Sequence, residues 1–441
     1  MSCHQCCPLS QATAIPVELG GIRHAPETGL RVINLPSCNV QVIILHMVSQ
    51  LEPFERSLFR APELSPEELE VVSRIEELRT ALRYQVVQTP RRWTGSLRRV
   101  MFARAIQGSN TIEGYNVTLA DAMAVAEGEQ PLDAVEETAR AVAGYRNAMT
   151  YVLQLAGSPH FRYSEGLLNS LHFMMLNYDM TKGPGLLRSG PVFVQHEPSG
   201  RSVYEGPDAD RVPGLMDDLM LSLNQPGSTP VMVRAAMAHL NLVMIHPYRD
   251  GNGRMARILQ SLVLSQDGIL AAEFSSIEEY LGKNTQDYYD VLAEVGAGAW
   301  HPERDARPWV RFSLTAHFRQ AQRLLRRVRQ SERLWALLEA EVQRLGIPDR
   351  AVLALFDAAQ RFRVSNRVYQ EHAELSEHAG GRDLKRMVEA ELLEPMGEKR
   401  GRYYVATPRL LSLAEASWEH ERSAEHIDPF AEVQLSLFPG R

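Results

Sequence analysis

Apolar residues recur every three or four positions through most of the chain, and that recurrence predicts helices. "SPEELEVVSRIEELRTALRY" carries a helix start signal: Ser65 as cap, Pro66 at the first helical position, acids in the first turn. "RRVMFARAIQGSNTIEG", "LDAVEETARAVAGYRNAMTYVLQL" and "SEGLLNSLHFMML" repeat the spacing. So do "VPGLMDDLMLSLN" and "PVMVRAAMAHLNLVMIH", where Val231, Ala235, Ala238, Leu242 and Ile245 form one stripe. Met255, Ile258, Leu259, Leu262 and Val263 form the next stripe. Two further helices are expected over roughly 275–295 and 307–345, the second strongly basic at "RQAQRLLRRVRQ".

The helical pattern breaks twice. Residues 181–207 are rich in Gly and Pro, with β-prone runs at "PVFV" and "RSVY" around a turn at "EPSG", which predicts one hairpin. From about 347, three short helical stretches precede "MGEKRGRYYVAT", a turn between β-prone residues, and that order is the order of a winged helix. The expected fold class is therefore mainly α: a helical domain with one β-hairpin, then a small winged-helix-like module. The expected boundaries are 1–60 for a poorly ordered N-terminal extension, 61–345 for the helical domain, 346–412 for the winged-helix-like module and 413–441 for a tail.

Composition narrows the function classes. A chain of 441 residues with 44% hydrophobic and 23% charged residues has the balance of a soluble globular protein. A net charge of −7 excludes binding nucleic acid by bulk charge alone. No run of about 18 apolar residues is present to span a bilayer, and "MSCHQCCPLS" lacks the order of a secretory signal, so no membrane partner and a cytoplasmic location are expected. All four cysteines, Cys3, Cys6, Cys7 and Cys38, precede residue 40. With His4 they lack the second half of a CxxC pair, so disorder is preferred there over a zinc site.

The chemistry concentrates in "MIHPYRDGNGRMAR", residues 244–257. Pro247 disfavours helix at His246. Gly251 and Gly253 allow a sharp turn close to a ligand, and the next helix begins near Asn252 and Gly253 with free N–H groups and partial positive charge, an anion site. Arg254 and Arg257 share a face and add cationic forks suited to phosphate. Asp250 is a hard oxygen ligand beside that anion site, suited to Mg²⁺ held together with phosphates. His246, near neutral pKa, is the candidate base for a hydroxyl attacking phosphorus.

"HPYRDGNGRMAR" resembles the Fic family signature HPFxDGNGRxxR, with Tyr248 in place of phenylalanine. The likeness continues in patches over roughly 100–320. It implies a helical domain that transfers AMP from ATP to a hydroxyl of a target protein, the chain itself included. His246 would be the base and Asp250 the Mg²⁺ ligand. The amides of Gly251–Gly253, with Asn252, would hold the α- and β-phosphates, Arg254 the β-phosphate and Arg257 the γ-phosphate. Phe193, Val194 and Gln195 would form the flap that clamps a target segment or the nucleotide, and Tyr288 would lie near the adenine. The chain departs from the family's NRxxYY run by carrying Thr285.

"SNTIEGYNVT" resembles the family's inhibitory motif [S/T]xxxE[G/N], matched by Ser109, Glu113 and Gly114. Ser109 and Glu113 lie four apart on one helical face, and a bidentate Glu113–Arg257 pair would misplace the γ-phosphate. The resemblance thus implies self-inhibition. Three alternatives stay open: removal of AMP, transfer of another nucleotide, and a DNA-binding regulator with a sensor-like Fic domain. The charge of residues 346–412 is mixed, so any DNA binding there is expected to be weak and a protein partner is preferred. A homodimer is compatible with the sequence.

Overall fold

The computed structural model describes residues 58–431 apart from 89–90, 197–200, 226, 267, 269, 399–400 and 418–427; of residues 195, 196, 201 and 202 it describes the backbone alone. The expectations for the extension through residue 57, with its cysteines, and for the apolar "VQLSLF" tail lie outside these residues. Phe59 is packed into the helical body: it is 3% exposed, and the Asn241 side chain accepts from its N–H at 2.8 Å and donates to its carbonyl at 3.1 Å.

Helices dominate, in chain order α1 (Pro66–Arg83), α2 (Thr94–Ile112), α3 (Leu119–Ala126), α4 (Glu136–Leu155) and α5 (Glu165–Leu176). The expected hairpin follows as β1 (Phe193–His196) and β2 (Arg201–Glu205), antiparallel with an irregularity between Val194 and Gln195. Next come α6 (Val212–Asn224), α7 (Val231–Ile245), α8 (Asn252–Gln266), α9 (Ala272–Ser275), α10 (Glu278–Lys283), α11 (Thr285–Gly296) and the long α12 (Arg307–Arg344). α1 starts as its cap signal predicts, with a full capping box between Ser65 and Glu68. The single helix expected over 275–295 is two, α10 and α11, because the backbone leaves helical geometry at Asn284 (φ −125°, ψ 44°).

α7 and α8 lie at the centre. Ala235, Leu242 and Ile245 from one, and Met255, Ile258, Leu259 and Leu262 from the other, are wholly buried. Glycines bring the surrounding helices close. A Cβ on Gly144 of α4 would lie 2.0 Å from the Met175 carbonyl oxygen of α5, and one on Gly108 of α2 would lie 2.4 Å from the Glu278 carbonyl oxygen of α10. α2 is thereby pressed onto α10 along the flank of α8. The Trp309 indole ties α12 to α7 by donating to the Ala236 carbonyl at 2.7 Å.

The C-terminal module runs α13 (Ala351–Ala359), β3 (Val364–Ser365), α14 (Asn366–Ala373), α15 (Glu377–Glu389), β4 (Leu393–Met396), β5 (Tyr403–Ala406) and α16 (Pro408–Ala416). Its three strands lie in the order β3-β5-β4. It docks on the turn after α3. His372 Nε2 lies 3.1 Å from Glu127, Ser365 donates to Glu129 at 2.5 Å, and Arg99 of α2 bridges Glu127 at 2.9 Å and Asp357 at 3.0 Å. Among the described residues no helix is long and apolar enough to cross a membrane.

Candidate active site

The turn between α7 and α8 is held in shape by its own polar atoms. His246 caps α7 in the left-handed region (φ 52°), a conformation rare for a residue with a Cβ. Gly251 (φ 79°) closes the far side, where a Cβ would lie 2.7 Å from the Met175 side chain. Asn252 accepts from the Tyr248 N–H at 2.9 Å and donates to the Tyr248 carbonyl at 2.8 Å. This changes the expected role of Asn252: both polar ends of its side chain staple the turn, so only its backbone N–H faces an anion. Among the described residues, the N–H groups of Asn252, Gly253 and Arg254 meet no acceptor, which leaves an open nest at the start of α8.

Two guanidiniums stand beside that nest. Arg254 is 1% exposed and lies over the Tyr115 ring at 4.9 Å, with Nε and Nη1 buried and unpaired. Arg257, also 1% exposed, donates from Nε to the Ser109 hydroxyl at 2.8 Å. Its Nη2 donates to the Ser109 carbonyl at 3.0 Å and to Glu113 Oε1 at 2.6 Å. The Glu113 contact is a single bond rather than the expected bidentate pair, because Ser109 holds the Nε edge of the fork and Nη1 is left buried without a partner. Burial pulls the Arg257 pKa down, but the Glu113 carboxylate, with Tyr288 and Tyr145, offsets this and holds it above the ordinary arginine value.

Glu113 owes its place to the end of α2. Gly114 (φ 80°) donates to Thr111 at 3.0 Å and Tyr115 donates to Asn110 at 3.0 Å, a Schellman ending with Glu113 as the last cap residue. A Cβ on Gly253 would lie 2.4 Å from Glu113 Oε1, so the carboxylate rests on the first turn of α8, where an incoming anion would sit.

His246 is half-buried. Its Nδ1 lies 3.1 Å from the Val243 carbonyl, so Nδ1 carries the proton and the Nε2 lone pair is left outward, with no partner among the described residues. Burial pushes the imidazole pKa down, and Arg188 pushes it the same way. Asp250 has its carbonyl held by His172 Nε2 at 2.9 Å and its carboxylate shared between the Gly251 N–H at 2.6 Å and Lys182 at 3.1 Å.

Tyr288 departs from expectation. It is 1% exposed, its hydroxyl lies 3.0 Å from His239 Nε2, and its ring packs 6.0 Å from Trp309. A base has no access to a ring in the core, so the adenine assignment is withdrawn. Its neighbour Tyr289 is 45% exposed, with its hydroxyl on the Ile112 carbonyl at 3.0 Å. On the flap, Phe193 is 49% exposed and Val194 packs on the core; the Gln195 side chain lies outside the described residues.

Three neighbours escaped the sequence reading. Arg188 donates to the carbonyls of His246 (2.8 Å), Gly190 (2.7 Å) and Pro207 (2.5 Å), which locks the flap base to the histidine turn. Lys182 meets Asp250, and Tyr115 meets Arg254 and Lys182. Their one sequence signal is a pair of cations in the Gly/Pro-rich stretch before the flap and an aromatic just after the Glu-Gly pair.

Residues 163–264, which include this turn and both flanking helices, match the Fic/DOC family. That segment is similar to the Fic/DOC family. The chain is 29% identical over 214 residues to "Protein adenylyltransferase Fic" of Nematostella vectensis, covering 47% of this chain and 45% of that protein. It is 28% identical over 210 residues to "Protein adenylyltransferase fic-1" of Caenorhabditis elegans, covering 46% and 37%. The match thus spans less than half the length of these relatives. The fold is also similar to that of a Fic family protein from Desulfovibrio desulfuricans G20, with a TM-score of 0.52 and 26% identity over 79% of this chain and 99% of that one. The matched segment begins with α5 and ends in α8, so α2 and its Glu113 reach the site from outside it.

Proposed function

We propose that this chain is a self-restrained protein adenylyltransferase: it moves AMP from ATP to a hydroxyl of a target protein and, without its restraint, of itself. The observation that carries the reading is the juxtaposition of three amides, Asn252 to Arg254, with two buried guanidiniums and the His246 imidazole; among the described residues neither the amides nor Nε2 has a partner. The nest and Arg254 suit the inner phosphates, and Arg257 suits the γ-phosphate. The target oxygen attacks the α-phosphorus, the bond from that phosphorus to the β-phosphate oxygen breaks, pyrophosphate leaves, and the hydroxyl proton passes to Nε2 of His246. The relatives' printed activity supports the same chemistry.

Asp250 fits a magnesium ion. It offers one carboxylate, 38% exposed, beside the amide nest, and Mg²⁺ is usually held by one or two carboxylates plus substrate phosphates. When bound, it would offset phosphate charge.

Glu113 supplies the restraint: its carboxylate occupies Arg257 and lies on the first turn of α8, where the γ-phosphate needs both. The C-terminal module, with its helices followed by a hairpin, reads as a winged helix serving partner recognition. Its site-facing role is indirect, through Arg99 and the turn after α3.

The test is transfer from labelled ATP to the chain itself and to lysate proteins. Glu113→Gly is expected to raise incorporation at least about ten-fold, since positioning supplies much of the rate. Adding His246→Ala should remove about two to four orders of magnitude. No gain with Glu113→Gly refutes the restraint, and full activity without His246 refutes the base.

A further inference from the structure

Lys182 sits on a short turn closed by Gly183 (φ 63°), among carboxylate and phenol oxygens. Its ammonium is 3.1 Å from Asp250 Oδ2 and 3.7 Å from Glu137 Oε1, and it donates to the Tyr115 hydroxyl at 3.2 Å. The Tyr178 ring lies 5.6 Å away, within cation–π range, whereas the Tyr115 ring is met at its hydroxyl edge. The side chain is only 19% exposed. Two carboxylates, a phenol oxygen and one aromatic ring thus form a cation site that the chain fills by itself.

The oxygen that Lys182 holds belongs to the carboxylate read above as the magnesium ligand. Asp250 Oδ1 already accepts from Gly251, so Oδ2 is the atom with most to offer a metal, and a divalent ion there meets an ammonium within a few ångströms. Without phosphates the two cations repel across one carboxylate. With a triphosphate in the nest, added negative charge accommodates both.

We propose that Lys182 is the resident counter-ion of Asp250, which keeps free divalent metal off the carboxylate and admits it only together with a polyphosphate. This rests on the reading of Asp250 as the metal-holding residue. Lys182 is a positioning residue: it keeps Oδ2 oriented toward the nest before the nucleotide arrives. Its tie to Tyr115, next to Gly114, couples the metal side of the site to the end of the inhibitory helix.

The test is a Mn²⁺ titration of the full chain followed by electron paramagnetic resonance, with and without ATP. Lys182→Met is expected to bind free Mn²⁺ at least about ten-fold tighter than the unaltered chain. Lys182→Arg, which keeps the charge, should bind it as weakly as the unaltered chain, and the gain should vanish in Lys182→Met/Asp250→Asn. Circular dichroism verifies that each variant is folded. If Asp250→Asn abolishes Mn²⁺·ATP binding but Lys182→Met gives no gain in free Mn²⁺, the counter-ion role is overturned and the Asp250 reading stands. If Asp250→Asn leaves Mn²⁺·ATP binding unchanged, the Asp250 reading fails and the counter-ion role with it.

Discussion

Arg257 divides its fork between Ser109, Glu113 and a buried, unpaired Nη1. A buried charge left partly unpaired is costly, so the arrangement is stable only while Glu113 supplies the opposing charge or an anion replaces it. The same economy governs His246: its left-handed backbone and its Val243 contact fix which nitrogen is free. Because burial lowers its pKa from 6.5, the imidazole stays neutral, and competent as a base, below that value. The acid limb of the transfer rate is therefore expected below pH 6.5, and a limb above it in a pH–rate profile contradicts the environment described. The break between α7 and α8 was legible in the sequence because one short run, Pro247 to Gly253, carries it. Arg188 and Lys182 were not legible, because their partners at His246, Pro207 and Asp250 lie far along the chain and two of those partners are backbone carbonyls that no motif encodes. Arg188→Met leaves four carbonyls, those of His246, Gly190, Pro207 and Ile245, without their charged donor and should lower unfolding free energy by at least about 2 kcal/mol in urea titration.

The helix periods placed α7 and α8 and the stripe each buries, and caps such as Ser65 placed starts. What period and caps do not encode is how closely two helices approach. Gly108 of α2 admits the Glu278 carbonyl of α10, and this crossing sets where the end of α2, and hence Glu113, lies against α8. Gly108→Ala must separate the helices; it should cost about 1–3 kcal/mol of stability and raise basal AMP transfer by drawing Glu113 from Arg257. Stability loss with unchanged transfer means that the crossing does not set the restraint. Tyr288 illustrates the converse limit: its position in α11 gives no sign of which of two adjacent tyrosines turns inward, and packing against His239 and Trp309 decides it.

Across the molecule, burial of neutral histidines ties stability to pH. Desolvation holds His172 at about 4 and both His239 and His317 at about 3, against 6.5 in the unfolded chain. The unfolded state therefore binds more protons below pH 6.5. Stability from these groups is full above that value and falls as pH drops toward 4, by about 1.4 kcal/mol per pH unit for each histidine. A urea midpoint unchanged between pH 7.5 and 5.5 contradicts this. The C-terminal module contributes through its contacts: His372, Ser365 and Arg99 hold the turn after α3 and so hold α2 from its far side. The central claim is that the amides opening α8 receive a triphosphate once Glu113 is removed. A crystal structure of the Glu113→Gly chain with ATP tests it most directly. Phosphate oxygens within hydrogen-bonding distance of the Asn252–Arg254 amides, with His246 Nε2 facing the α-phosphorus, are the predicted result; a nucleotide bound away from that turn contradicts it.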